Sequence, residues 1–310
     1  MFDIISRPTV PTLLERYSLV DTVGHGTGST VYKAVDLLTN QNVALKVYDL
    51  RLQRDLTFVA YFRRDAQQAQ SFDDSCVLPL LSYGYVDERY FVTSEFMDNG
   101  NFSNYLAAHD VLSPPTAQIM DDVCTGLHYL HERNRLHSAI KPANILFSSD
   151  WRARLADIGP SHASHGTGMT ITDAAFGAVP YFSPEQVAGG ELTPASDLYS
   201  VGVVLYSATT GHLPFSAPNL LALAFQLLND EPQRPSVHNP HISPALETII
   251  MRCLAKKPDQ RFASALELGK ALSSSLVWEP VDGTQVEQDV PSEKKSILPK
   301  FMRRLGNMRF

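Results

Sequence analysis

Two lysines, an asparagine and a run of glycines mark where this sequence could handle a phosphate. In VGHGTGSTVYKA, Gly24, Gly26 and Gly28 lie between two strand-like runs. Glycines let backbone N–H groups come close to phosphate oxygens, although a plain hairpin turn explains three glycines equally well. In VALKV, Lys46 sits among apolar neighbours, where an ammonium without an anionic partner is costly. The alternative is an edge-strand lysine facing water. In LHSAIKPANIL, residues 136–146, Lys141, Pro142 and Asn144 look like parts of a phosphate-handling loop. Ser138 and Ala139 stand where such a loop is expected to carry its charge.

The elements that must hold these residues change character along the chain. Residues 1–16 read as a leader, broken by Pro8 and Pro11. From Tyr17 the runs YSLVDTVG, STVYKAVDL and QNVALKVYDL alternate like strands. LTFVAYFRRDAQQAQSF has helical spacing, and two more strands are expected near Leu78–Tyr83 and Tyr90–Phe96. A hinge is expected at Asp98–Asn101. Beyond it, Ser113-Pro114-Pro115 opens a helix, and further helices read at 195–209, 219–229, 244–254 and 263–275. After Trp278 the composition shifts again. Residues 279–293 hold five acids and no base, and residues 294–310 hold six bases and no acid. Ile297, Phe301, Met302, Leu305 and Met308 fit one face of an amphipathic helix over 297–310.

Bulk properties narrow the function classes. The 310 residues are 44% hydrophobic and 19% charged, as in ordinary soluble globular proteins. A net charge of −7 disfavours wholesale nucleic-acid binding. Cys76, Cys124 and Cys253 have no metal or disulfide spacing, which fits a reducing compartment. The N-terminus does not resemble a signal peptide, and no run of 18 apolar residues occurs. A cytoplasmic protein is expected, peripheral to a membrane if the basic tail 294–310 engages anionic lipid.

The glycine-rich loop, VALK, the helix, LHSAIKPANIL, LADIG, PYFSPEQ and SDLYSVGVVLY follow the order and spacing of the serine/threonine protein kinases. The chain most resembles their bacterial Hanks-type branch, over about residues 17–275. The resemblance implies an α+β, bilobal protein-kinase fold, with a small β-rich N-lobe carrying one helix (17–97) and a larger α-helical C-lobe (101–275), followed by the tail 276–310. It also implies roles. Gly24, Gly26 and Gly28 would cover the nucleotide phosphates, and Val31 and Ala44 would pack on adenine, with Glu95 beside its edge. Lys46 would hold the α/β-phosphates, Asn144 and Asp157 would each take a Mg2+, and Lys141 would neutralise the γ-phosphate. Glu185 and Arg261 would form an ion pair, and Asp197 would cap the turn carrying the catalytic loop. ATP and Mg2+ are the expected cofactors.

Four departures from the family pattern cluster at the chemistry. The catalytic aspartate falls on Ala139, and a methyl group can neither orient a hydroxyl nor accept its proton. General-base loss costs roughly 10²–10⁴ in rate. The preceding arginine falls on Ser138, which removes an anchor for a phosphorylated activation loop. Ala178 replaces the threonine that bridges catalytic aspartate and lysine. Asp65 replaces the helix glutamate that pairs with the strand lysine, one methylene shorter, so a Lys46–Asp65 pair requires the helix to move inward. Catalytic impairment is therefore expected. The main reading is a pseudokinase that regulates or scaffolds a protein partner, such as an active kinase or its substrate. The alternative is a slow or atypical kinase transferring a phosphoryl or nucleotidyl group. His137 is expected in the core and Asp121 and Asp122 on a solvated helix face. Ser161, Ser164, Thr167, Thr170 and Thr172 are candidate phosphorylation sites. The tail 294–310 is a candidate contact for a protein or an anionic membrane.

Overall fold

The computed structural model describes residues 15–26, 28–54, 56–108, 115–158 and 177–275. Residues 1–14 of the leader, the five candidate phosphorylation sites and the tail lie outside them. The described chain has two lobes: a β-rich lobe with one α-helix, then a helical lobe, the α+β architecture the resemblance implied.

Five antiparallel strands form the first lobe in the order β1-β2-β3-β5-β4. They are β1 Tyr17–Gly26, β2 Ser29–Asp36, β3 Gln41–Tyr48, β4 Leu80–Val86 and β5 Arg89–Glu95. Alternation assigns the faces. Val43, Leu45 and Val47 of β3 are buried with Tyr17, Ala34 and Phe91. Ala44, Lys46 and Tyr48 take the opposite face. Register places Lys46 opposite Val31 on β2 and Val92 on β5, and Ala44 opposite Ser94. Helix α1, Leu56–Gln70, closes this face with Phe58 and Phe62. Their rings pack on Tyr48 at 5.1 and 5.8 Å and on Tyr90 at 5.5 and 4.5 Å. Aromatic pairs at these distances favour tilted and edge contacts, which orients α1 against the sheet.

The second lobe is built from α2 Phe102–Ala108, α3 Pro115–His131, α4 Pro184–Val187, α5 Pro194–Thr210, α6 Leu220–Asn229, α7 Pro244–Cys253 and α8 Ala265–Ser275. Helix α5 runs through the centre, buried along almost its whole length, including Leu198, Tyr199, Val203 and Tyr206. It fits because Gly202 lets α7 close in; a Cβ there would lie 2.5 Å from the Cβ of Cys253. Between α3 and α5 lies the hairpin β6 Ile145–Phe147 with β7 Ala153–Leu155. Its core-facing residues Ile145, Phe147, Ala153 and Leu155 are all buried. The N–H of Leu78 donates to the Leu155 carbonyl at 2.9 Å, and that of Phe147 to Gly100 at 2.9 Å. The chain that crosses from β5 to α2 is thereby tied to the hairpin that presents the cleft residues.

Asp122 departs from its expected place on a solvated face. It is fully buried in α3, accepting from the Arg152 guanidinium and, at 2.9 Å, from the Ala153 N–H. Helical periodicity identifies a polar position, and only the packed hairpin supplies a cation to cover it.

Candidate nucleotide cleft

The loop between α3 and β6 is held from below by one carboxylate. Asp197, near the start of α5, is fully buried. Its Oδ2 accepts from the His137 N–H at 2.9 Å and from His131 Nε2 at 2.8 Å. Its Oδ1 accepts from the Ser138 N–H at 2.7 Å. These bonds keep Ser138 at a φ of +60°, in the left-handed region that non-glycine residues rarely occupy. The next carbonyls are claimed too. Gln186 Nε2 donates to Ser138 O at 2.9 Å, and Asn144 Nδ2 donates to Ala139 O at 2.8 Å. His137 lies in the core, where burial lowers its pKa and keeps the imidazole neutral. The loop thus has a fixed backbone path, and at Ala139 it presents a methyl group.

Lys46, Asp157 and Lys141 meet across the cleft. The Lys46 ammonium donates to Asp157 Oδ1. Asp157 follows β7 and is also held in the left-handed region, at a φ of +68°. Burial alone would lower the Lys46 pKa; the Asp157 charge more than reverses this and holds the ammonium above the ordinary lysine range. Burial opposes ionisation of Asp157, and Lys46 and then Lys141 outweigh it, so its pKa is lowered. Lys141 differs in sign. Burial, with repulsion from Lys46, brings it below the usual lysine value despite the attraction of Asp157. Lys46 thus pairs with Asp157, and Lys141 feels the charges of both. The Tyr48 ring lies 5.4 Å from Lys46 Nζ, and burial pushes its phenol up to about 12.

The sequence reading made a Lys46–Asp65 pair conditional on an inward shift of the helix, and the structure gives Asp65 other partners. Asp65 does not pair with Lys46. It is fully buried on α1, with Arg64 Nη2 at 3.1 Å and Arg135 Nη2 at 3.7 Å. Its shorter side chain meets a guanidinium that rises from the other lobe, just beyond α3, while Lys46 turns to Asp157. Arg135 had no sequence signal, because it lies in a turn outside every motif.

The remaining predicted residues divide between the sheet and the helical lobe. Val31 and Ala44 are half-buried on the sheet face that also carries Lys46. Of the three glycines, only Gly28 needs to be glycine for its backbone, with φ at +81°. Gly24 and Gly26 end β1 opposite Val31 and Ser29. The Glu95 carboxylate turns to Arg154 Nη1 at 2.9 Å, an ion pair joining β5 to β7 that the sequence did not suggest. Nearby, Lys33 of β2 reaches Asp98 at 3.1 Å and lies 4.2 Å above the Phe96 ring. Deep in the helical lobe, Arg261 is paired with both Glu185 oxygens at 2.7 and 2.9 Å. It also donates to the carbonyls of Ala255, Ala195 and Lys256.

A two-lobed fold with a lysine-rich cleft and a loop anchored on a buried aspartate defines a protein of the kinase class. Residues 17–272 match the family model of the protein kinase domain, and the chain belongs to that family. It is 34% identical to a probable serine/threonine-protein kinase of Streptomyces coelicolor, over 87% of this chain and 41% of that protein. It is 31% identical to serine/threonine-protein kinase PrkC of Bacillus subtilis, over 82% of this chain and 39% of PrkC. Identity to PknB of Mycobacterium tuberculosis is 30%, over 97% of this chain and 49% of PknB. The chain thus spans less than half the length of these relatives. Among solved structures, the PknI kinase domain of Mycobacterium tuberculosis superposes with a TM-score of 0.67 at 23% identity, covering 84% of this chain and 96% of that one. Rad53 residues 1–466, solved with AMP-PNP, give 0.69 at 24% identity, covering 83% and 65%. At these identities the solved structures speak for the fold alone.

Proposed function

We propose that the chain is a pseudokinase, which binds ATP with Mg2+ between its lobes and acts through that bound state on a protein partner. The observation that carries this reading is the asymmetry of the cleft. Lys46 pairs with Asp157 within the field of Lys141, groups that would meet phosphate and metal, while the loop has only the Ala139 methyl where a substrate hydroxyl would lie. Two ammonium groups against one carboxylate leave a positive surplus suited to a polyphosphate.

The donor set fits Mg2+ in the same way. Asn144 spends its Nδ2 on Ala139 O, which turns Oδ1 to the other side of the amide. Among the described residues, no group of three or more His, Cys, Asp or Glu gathers around one point. One carboxylate and one amide oxygen suit a cation that takes its other ligands from phosphate and water. Bound there, the metal would neutralise phosphate charge. Lys46 and Lys141 would orient the phosphates, and Gly28 would let the loop between β1 and β2 approach them.

A second reading, a slow or atypical kinase, draws support from the relatives named serine/threonine-protein kinases. Phosphoryl transfer depends mostly on positioning and charge neutralisation, and those groups remain. Mass spectrometry after incubation with ATP and Mg2+ separates the readings. A phosphoryl or adenylyl adduct on the protein or a partner, abolished by Asp157→Ala, refutes the pseudokinase. In that case Ala139→Asp is expected to raise the rate by roughly 10²–10⁴. The partner proposed is an active kinase or its substrate, and the net charge argues against nucleic acid. No helix among the described residues is long and apolar enough to cross a membrane. A cytoplasmic setting is part of the proposal.

A further inference from the structure

Helix α6 carries an apolar face that the described fold leaves bare. Its sequence, LLALAFQLLN, has no charged residue. Leu223 and Leu227 are buried against Val179, Phe182 and Phe215. On the other side Leu221, Phe225 and Leu228 recur at helical spacing and are 82%, 62% and 40% exposed. Single exposed apolar residues are ordinary, but a contiguous stripe marks a contact surface. Asp230 and Glu231 follow at the C-terminal end of the helix, both exposed.

We infer that this stripe is the docking site for the chain's own basic segment, residues 294–310. Charge complementarity is the first argument. That segment carries six bases and no acid, and removing it from a net charge of −7 leaves −13 (−7 − 6) on residues 1–293. Its apolar residues Ile297, Phe301, Leu305 and Met308 repeat at the three-to-four spacing that would oppose Leu221, Phe225 and Leu228, with Arg303 and Arg304 available to Asp230 and Glu231. Reach is the second argument. Helix α8 ends at Ser275, and 18 residues (276–293) separate it from the segment. A linker of that length has an r.m.s. span of roughly 24 Å and a limit near 60 Å. Its five acids, with no base, favour extension. Tethering makes docking intramolecular, at an effective concentration on the order of millimolar, so a short apolar contact suffices. Because the inner face of α6 packs on Val179 and Phe182, a docked segment sits behind the chain that follows the activation segment.

Cross-linking in the full chain tests the assignment. The native thiols Cys76, Cys124 and Cys253 are all buried, so introduced cysteines react over a low background. Phe225→Cys with Phe301→Cys, oxidised at low micromolar protein, is expected to form an intramolecular disulfide at least tenfold faster than Leu38→Cys with Phe301→Cys. Leu38, 76% exposed, is a somewhat more accessible apolar site on the other lobe. Leu221→Cys serves as a second position on the stripe. Adding Arg303→Glu and Arg304→Glu is expected to slow the reaction severalfold. Equal rates at Phe225 and Leu38 overturn the proposal. Disulfide-linked dimers at this dilution overturn the intramolecular occupant and point to a second copy.

Discussion

Asp157→Asn removes the anion that pairs with Lys46 and attracts Lys141, while keeping its shape. Two unit charges about 4 Å apart interact by roughly 4 kcal/mol at an effective dielectric constant of 20. The side chains of Lys46 and Asp157 are 19% and 39% exposed, so water screens part of this. A net contribution of about 1–2 kcal/mol remains after discounting toward the surface-pair range. Without nucleotide, the variant is expected to unfold at a lower urea midpoint and roughly 2–6 °C earlier on heating. With ATP in EDTA the difference should largely close. In the wild type, Lys46 must leave a carboxylate to meet a phosphate; in the variant it need not. Metal-free ATP is therefore expected to bind about tenfold more tightly to the variant, as 1.4 kcal/mol corresponds to tenfold. The further gain from Mg2+ should disappear, because the carboxylate that would hold the cation is gone. Thermal unfolding titrated with ATP, once in EDTA and once in Mg2+, measures both effects. Saturation at 100 times the dissociation constant adds about 2.7 kcal/mol, well above detection. If metal-free ATP binds the variant no better than the wild type, Asp157 does not compete with phosphate for Lys46, and the charge argument for the cleft fails.

Lys141→Met should raise the stability of the nucleotide-free protein by about 1 kcal/mol while reducing the ATP-dependent shift, since it removes a cation that burial and Lys46 destabilise. In the wild type the depressed Lys141 pKa means that the unfolded chain holds that proton more tightly. Stability should rise with pH from the folded-state value toward the ordinary lysine range, and Lys141→Met should flatten that rise in urea titrations. Glu185→Ala should cost about 3–5 kcal/mol by urea midpoint, because Arg261 would be left buried without its carboxylate. Burial opposes ionisation of Glu185, but Arg261 and Ser196 lower its pKa, so its contribution is present above the ordinary glutamate value and lost as pH falls through the folded-state one. The gap between wild type and Glu185→Ala should therefore narrow in acid. Gly28→Ala should cost about 1–2 kcal/mol by the same assay, because an alanine at φ +81° is strained and its Cβ would lie 3.2 Å from Leu52. The same substitution at Gly24, where a Cβ meets nothing within 4 Å, should cost less.

Much of this protein was legible in its residues alone. Period-two runs from Tyr17 announce strands and three-to-four spacing announces α3, because one-sided burial imposes those periods. That position 139 is an alanine is read from the sequence alone. The order of lysine, loop and aspartate brings Lys46, Lys141 and Asp157 into one cleft. The identity of each ion-pair partner was not legible. Asp65 meets Arg135 as well as its neighbour Arg64, Glu95 turns to Arg154 and Asp122 to Arg152, and Arg135, Arg154 and Arg152 lie 30 to 70 positions away from their carboxylates in sequence. Periodicity reports which face a side chain takes, whereas pairing is set within a few ångströms by distant elements. Lys46 pairs with Asp157 and Asp65 with two arginines, one of them from the opposite lobe, and only the packed structure fixes distances of that size.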